Sequence, residues 1–255
     1  MVTLHFFAEL NDFLKDNLRD QQQHEPDHYQ QGREIHYQLD KPRSVKDLIE
    51  SLGVPHTEIN IIIVNKRSVD FNYPVGPEDT IEVYPAFQQP DITLITQLQD
   101  TPPEAKFILD VHLGKLASYM RMMGFDTLYR NDYDDPHLAR ISADENRILL
   151  TCDVRLLMRK EIDYGYFVRS RTPQQQFKEV IKRFQLMHRY RPFSRCIHCN
   201  GIIQPVDKED IASQLQAKTR QYYNHFYQCQ SCHKIYWEGN HVTQMQTVIQ
   251  QLINK

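Results

Sequence analysis

The chain has 255 residues and a mass of 30.4 kDa, which suggests one or two domains with room for a small third module. Its 40% hydrophobic, 11% aromatic and 25% charged residues sit near the globular average and exclude a largely disordered or collagen-like chain. Residues 1–106 hold 9 Lys and Arg against 18 Asp and Glu, a net of −9, and the remainder a net of +6, so the formal charge of −3 hides an asymmetry. The basic half is where a polyanion would bind, although +6 also fits an ordinary solvated surface. The apolar runs are strand-sized, such as 59–64, and too short to span a bilayer. The opening MVTLHFFAEL lacks the basic region of a secretory signal, so a cytoplasmic protein without a membrane partner is expected. Five cysteines, an odd number, favour metal or thiol chemistry over a disulfide framework.

From the N-terminus, Val2, Leu4 and Phe6 alternate, as does EIHYQLD from Glu34, with the polar run QQQHEPDHYQQG between them. Two strands joined by a long polar loop follow from that pattern. Ser44 caps a helix whose Val45, Leu48, Ile49 and Leu52 share one face, and Gly53 stops it. NIIIVN and TIEVYPAF, separated by the turn-like NYPVGPED, are two further strands. This β-β-α-β-β order over residues 1–87, with its exposed Val-Asn-Lys turn, resembles the α+β β-grasp fold of ubiquitin-like sulfur carriers. Those carriers act through a free Gly-Gly terminus, whereas here another 168 residues follow Phe87. The role left open to this domain is docking a protein partner or presenting substrate, or else a fold-stabilising appendage. Residues 88–105 mix Gln, Pro and Asp around one apolar patch and read as a linker.

The central segment alternates strand and helix: a strand over 107–109, and a helix with Leu113, Leu116, Ala117 and Met120 on one stripe up to Gly124. A strand over 127–129 follows, then a helix opened by Asp135-Pro136 with Leu138 and Ile141 inward. A strand over 148–150, a short helix through Leu156 and Leu157, and a strand over 166–168 complete it. Such alternation implies an α/β domain with a mainly parallel sheet. In sheets of this kind the strand C-termini open on one edge, where ligands bind. Asp110 follows the first strand, Asp132, Asp134 and Asp135 the second, and Asp153 the third. Carboxylates gathered at one edge repel by roughly a few kcal/mol at an effective dielectric of 20 unless a cation offsets them. Oxygen-only ligands suit Mg²⁺ or Mn²⁺ better than zinc. The chemistry this favours is metal-assisted hydrolysis of a phosphodiester, with no protein nucleophile. Lys115, Arg155, Arg169 and Arg171 flank the same edge, where they could hold neighbouring phosphates. Each acid also has a structural role open to it: Asp135 before Pro136 is a good helix cap, Asp132 and Asp134 fit turns, Asp126 precedes a strand, and Asp110 and Asp153 fit caps. A phosphoacceptor receiver domain would need an acid pair after its first strand and a late lysine, which this order does not supply.

The run from KFILD to LLTCD contains Asp-x-x-Leu-Gly-Lys-Leu-Ala, Gly-Phe-Asp, Asp-Asp and Leu-Leu-Thr-x-Asp blocks. These blocks resemble the Mut-seven C-terminal (Mut7-C) RNase family, a PIN-like fold, over about 106–200. The resemblance implies a PIN-like three-layer parallel-sheet domain at 106–190 that cleaves RNA. It makes Asp110, Asp134, Asp135 and Asp153 the acidic nuclease site. Cys152 stands where an Arg often precedes the last Asp. Members of the family with an N-terminal ubiquitin-like domain and a C-terminal zinc ribbon share the order read here.

Cys196-Ile-His-Cys199 and Cys229-Gln-Ser-Cys232 are paired CxxC knuckles with 29 residues between them. They supply four thiolates for a closed, structural Zn²⁺. The spacing is longer than usual, so QPVDKEDIASQLQAKTRQ from Gln204 is expected to form a helical insertion in a zinc ribbon over 191–255. Two separate redox pairs are the alternative, but neither follows a thioredoxin-like strand pattern. His198 and His233 could replace a cysteine, though such histidines more often lie at the surface, and Cys152 reads as a buried strand thiol. Arg189, Arg191, Arg195, Lys218, Arg220 and Lys234 are interleaved with Tyr190, Tyr222, Tyr223, Tyr227, Tyr236 and Trp237. Rings and cations so mixed suit RNA bases and phosphates. The same rings could instead form the ribbon's small core, the better reading for Trp237. The expected function is a metal-dependent ribonuclease; the alternative is a non-catalytic RNA-binding or ribosome-associated adaptor.

Overall fold

The computed structural model describes residues 1–14, 33–85, 96, 98 and 104–237. The polar run at 21–32, most of the expected linker and the ribbon beyond 237 lie outside the described residues. The chain divides into two compact units, Met1–Pro103 with Ala139–Phe167, and Glu104–Leu138 with Val168–Lys255.

In the first unit, β1 (Val2–Phe6), β2 (Arg33–Tyr37), β3 (Ile59–Val64), β4 (Arg67–Val69) and β5 (Thr80–Pro85) form a mixed sheet of order β2-β1-β5-β3-β4. β1 runs parallel to β5, and the remaining pairs are antiparallel. The alternation of β1 is realised as burial, because Val2, Leu4 and Phe6 enter one apolar core with Val45, Leu48, Ile49 and Leu52 of α1 (Val45–Leu52). Ser44 caps α1 by accepting the Asp47 N–H at 3.1 Å, and Gly53, at φ 113°, ends it. This is a β-grasp sheet with one strand more than the sequence pattern predicts. Asn65 and Lys66 both take positive φ, of 49° and 66°, and fold the chain after β3 back into the three-residue β4. A strand that short shows no periodicity.

The same unit contains β8 (Ile148–Thr151), α4 (Val154–Leu157) and β9 (Gly165–Phe167), with β8 and β9 parallel. Val154 and Phe167 pack on the β-grasp core. Glu58 Oε1 accepts the Phe167 N–H at 2.6 Å, and the His56 ring reaches Glu50 Oε1 at 2.6 Å and the Ile162 carbonyl at 2.9 Å. The β-grasp sheet is therefore built into its neighbouring segment and does not hang from it.

The second unit holds β6 (Lys106–Leu109), α2 (Gly114–Met122) and β7 (Asp126–Leu128), with β6 and β7 parallel. Leu116, Ala117 and Met120 form the buried stripe of α2, and the Phe107 ring meets Phe125 and Phe184 edge-on at 6.4 and 5.6 Å. α3 (Asp135–Asp144) buries Leu138, whereas Ile141 is only partly covered. β6 with β7, and β8 with β9, pair in parallel, in agreement with the α/β expectation, although each of the four strands is displaced by a residue at one or both ends. After α5 (Pro173–Arg183) comes a three-stranded antiparallel ribbon of β10 (Ile203–Val206), β11 (Phe226–Cys229) and β12 (Ile235–Trp237). The insertion is helical, as expected, but begins with β10 and then forms α6 (Lys208–Ile211) and α7 (Ala217–Tyr222). Trp237 is in register with the buried Phe226 and lies 6.5 Å from the Tyr223 ring, but it is only partly buried, so it does not fill the core expected of it. Among the described residues no helix is long and apolar enough to cross a membrane.

Candidate functional site

Each CxxC pair folds as the same local loop. Cys196 N–H donates to the Gly201 carbonyl and Asn200 N–H to the Cys196 carbonyl, both at 2.8 Å; Cys229 and His233 repeat these bonds with Lys234 and Cys229 at 3.0 Å. The residue after each second cysteine, Asn200 at φ 70° and His233 at φ 59°, turns the chain through the left-handed region. Gly201 has no room for a side chain, since a Cβ there would stand 2.8 Å from Cys229 Sγ.

These loops bring together the Sγ atoms of Cys196, Cys199, Cys229 and Cys232, all within 4.8 Å of one another, with Cys196–Cys232 at 3.6 Å and Cys199–Cys229 at 3.4 Å. Such gaps are far longer than the roughly 2.05 Å of a disulfide bond. Four thiolates about 2.3 Å from one tetrahedral ion stand roughly 3.8 Å apart, so the cluster could hold a zinc ion. Among the described residues it is the one group of three or more His, Cys, Asp or Glu side chains whose ligand atoms converge. His198 and His233 are outside it and exposed. Burial works to raise the Cys196 thiol, but hydrogen bonds from the Tyr236 hydroxyl, at 3.0 Å, and the Cys199 amide bring it down to about 7. Burial pushes the Cys199 thiol up to about 12, and Cys232 also upward.

The first knuckle is seated on α2 and β7 by a buried polar network. The Arg121 guanidinium donates to the carbonyls of Thr127 at 2.8 Å, Ile197 at 3.0 Å, His198 at 3.1 Å and Tyr129 at 3.3 Å. Asn200 accepts the Thr127 N–H at 2.9 Å and donates to Asp126 at 2.8 Å, while Asp126 pairs with Arg195 at 3.0 Å. Gly124, at φ 89°, lets the preceding chain close on this corner; a Cβ would fall 2.1 Å from the Arg191 carbonyl oxygen. Sequence reasoning missed Arg121 and Asn200 altogether and read Asp126 only as a residue before a strand. The adjoining Gly-Phe-Asp block was the available signal.

The acidic residues share a local arrangement. Asp110, directly after β6 and 5% exposed, accepts the His112 N–H at 2.7 Å. Asp153, two residues past β8, accepts the Arg155 N–H at 2.7 Å and donates its own N–H to Thr151 Oγ1 at 2.9 Å. Asp134 Oδ1 takes the His137 N–H at 2.9 Å and lies 2.7 Å from the His137 ring. The cap of α3 is thus Asp134, not Asp135, which is the exposed first residue of the helix. Pro136 is tolerated throughout the first turn, so the Asp-Pro pair leaves the register open by one. Asp132 is held by both nitrogens of the Arg130 fork at 2.8 and 2.6 Å, which lowers its carboxyl below the usual range. Cys152 is exposed, which corrects the buried thiol expected there: it lies one residue past β8, where the strand has left the core.

Of the four cations expected near the acids, Lys115 on α2, Arg155 on α4 and Arg171 before α5 are exposed. Arg169 is partly buried, and its N–H donates to Glu179 at 2.8 Å.

A family model described as the Mut7-C RNAse domain matches residues 105–249, and one described as Mut7-C ubiquitin matches residues 1–91. Searches of curated proteins and of solved structures found no match. The two family matches occur in the order of the folds just described, a β-grasp sheet followed by a parallel sheet and a four-cysteine ribbon. The chain therefore belongs to the Mut7-C RNAse domain family, with a Mut7-C ubiquitin domain at its N-terminal end.

Proposed function

We propose that this protein is a metal-dependent ribonuclease that hydrolyses RNA phosphodiester bonds with Asp110, Asp134, Asp135 and Asp153 as its acidic residues. The match of residues 105–249 to an RNAse family carries the reading. Asp110, Asp134 and Asp153 each use a carboxylate oxygen to accept a backbone N–H at the start of a helical turn, which fixes the side chain's direction and equally serves the fold, so the family match alone carries the reading. Carboxylate oxygens are the donors that Mg²⁺ or Mn²⁺ prefers, although among the described residues the four cysteines are the one group of three or more His, Cys, Asp or Glu side chains whose ligand atoms converge. Such an ion supplies charge neutralisation at the scissile phosphate and activation of water. Asp110 and Asp153 would hold it, and Lys115, Arg155, Arg169 and Arg171 would hold flanking phosphates, a contribution that weakens with salt. The four cysteines hold a structural Zn²⁺ that leaves no open position for catalysis. In functional terms the chain reads as a ubiquitin-like domain at 1–87 that docks a protein partner, a linker at 88–105, the nuclease domain at 106–190 and the ribbon at 191–255.

Incubation with single-stranded RNA tests this. Cleavage is expected with Mn²⁺ or Mg²⁺. Asp110→Asn and Asp153→Asn are each expected to lower it about 100-fold or more while RNA binding persists, the scale on which losing one electrostatic stabiliser is felt. RNA that is bound but left intact with either ion would replace the enzyme by the RNA-binding adaptor.

A further inference from the structure

The least expected side chain in the molecule is Arg121. It lies on α2, is 5% exposed, and spends its hydrogen bonds on main-chain carbonyls rather than on a carboxylate. Two of those carbonyls, of Ile197 and His198, belong to the two residues between Cys196 and Cys199. The other two, of Thr127 and Tyr129, come from β7 and the residue just beyond it. A buried guanidinium without a direct carboxylate hydrogen bond is costly, and burial draws its pKa down while Cys196, Cys199 and the nearby Asp126 draw it up. Four thiolates around a divalent ion would leave a net charge of about −2, which together with the nearby Asp126 carboxylate would offset the buried cation.

We propose that Arg121 is a positioning residue for the metal at the four-cysteine centre: its charge balances the thiolate cluster and its forked donors hold the Cys196–Cys199 loop in ligating shape. This rests on the reading of those cysteines as a zinc site and is independent of the ribonuclease activity. Lysine cannot replace the arginine fully, since a single ammonium cannot reach carbonyls on β7 and on the knuckle in the same fixed plane. Partners that orient metal ligands from outside the ligand set typically change metal affinity about 10–100-fold when removed.

The test is zinc affinity of the full chain, by competition with a chromogenic chelator, for wild type, Arg121→Lys and Arg121→Met, with Cys196→Ser as control. Thermal unfolding is recorded with and without zinc. Arg121→Met is expected to weaken zinc about 10–100-fold, Arg121→Lys less, and the zinc-dependent gain in stability shrinks in the same order. A purely structural role for Arg121 would lower the stability of loaded and stripped protein equally and leave zinc affinity unchanged, which overturns the proposal. Should Arg121→Met fail to fold, Arg121→Lys decides alone, and wild-type affinity there counts against the proposal. Wild-type protein that takes up no zinc refutes the metal site itself, a result distinct from either.

Discussion

The β-grasp sheet and the cysteine ribbon are both small sheets of short strands, but they are held by different forces. In the β-grasp, Val2, Leu4, Phe6, Leu48, Ile49, Ile62, Ile81 and Val83 are wholly excluded from water within one core. Burial of that kind contributes about 25 cal/mol for each Å² of apolar surface. The strands β10 to β12 bury only Phe226 and Cys229 fully, and leave Ile203, Val206, Ile235, Tyr236 and Trp237 partly wet. A sheet with so little interior needs another source of stability, which the Arg121–Asn200–Asp126 network and, on the proposed reading, a zinc ion at the four cysteines would supply. The difference predicts that the two regions fail independently.

The strongest way to separate them is to remove the metal. Chelation, or Cys196→Ser, is expected to take zinc from about one per chain to none and to abolish amide-exchange protection in β10 to β12, because structural zinc contributes about 10–16 kcal/mol of apparent binding energy. Amides of β3, buried in the other unit, keep their protection. Ribbon amides that stay protected without metal would show that the sheet is held some other way. The converse change is Leu48→Ala: a wholly buried side chain of the β-grasp core is cut back, at a cost of about 2–5 kcal/mol in urea unfolding. Zinc content is expected to stay at the wild-type level.

The same contrast explains what was legible beforehand. The β-grasp core could be read from Val2, Leu4 and Phe6, because a buried strand face writes its period into adjacent residues. The four cysteines were legible for a related reason, since each knuckle is a local turn that carries two ligands. Arg121 was hidden because its partners at 197 and 198 are backbone carbonyls, which every residue has. A buried arginine in the polar spacing of α2 looks like any solvated one. β4 escaped because it has three residues, and Cys152 was misjudged because burial stops at Thr151, a boundary set by where the sheet ends and not by the side chain's character. The roles of the acids sit between these cases. Their capping contacts follow from local spacing, yet which of Asp134 and Asp135 caps α3 depended on one residue of register.

The subtlest test concerns Asn200, which has two roles in the seating of the ribbon. Its amide joins the Thr127 N–H to the Asp126 carboxylate, and its backbone, at φ 70°, makes the turn after Cys199. Asn200→Gly keeps the turn and removes the amide, leaving the buried Thr127 N–H without that acceptor, for an expected loss of about 1–3 kcal/mol. Asn200→Ala removes the amide and also forces a Cβ into the left-handed region, adding about 1 kcal/mol to the loss. Chemical unfolding of the zinc-loaded protein therefore ranks wild type above Asn200→Gly and Asn200→Ala below both. If the glycine variant matches wild type, the hydrogen bonds contribute nothing net, and the ribbon is held at this corner by Arg121 and the metal alone.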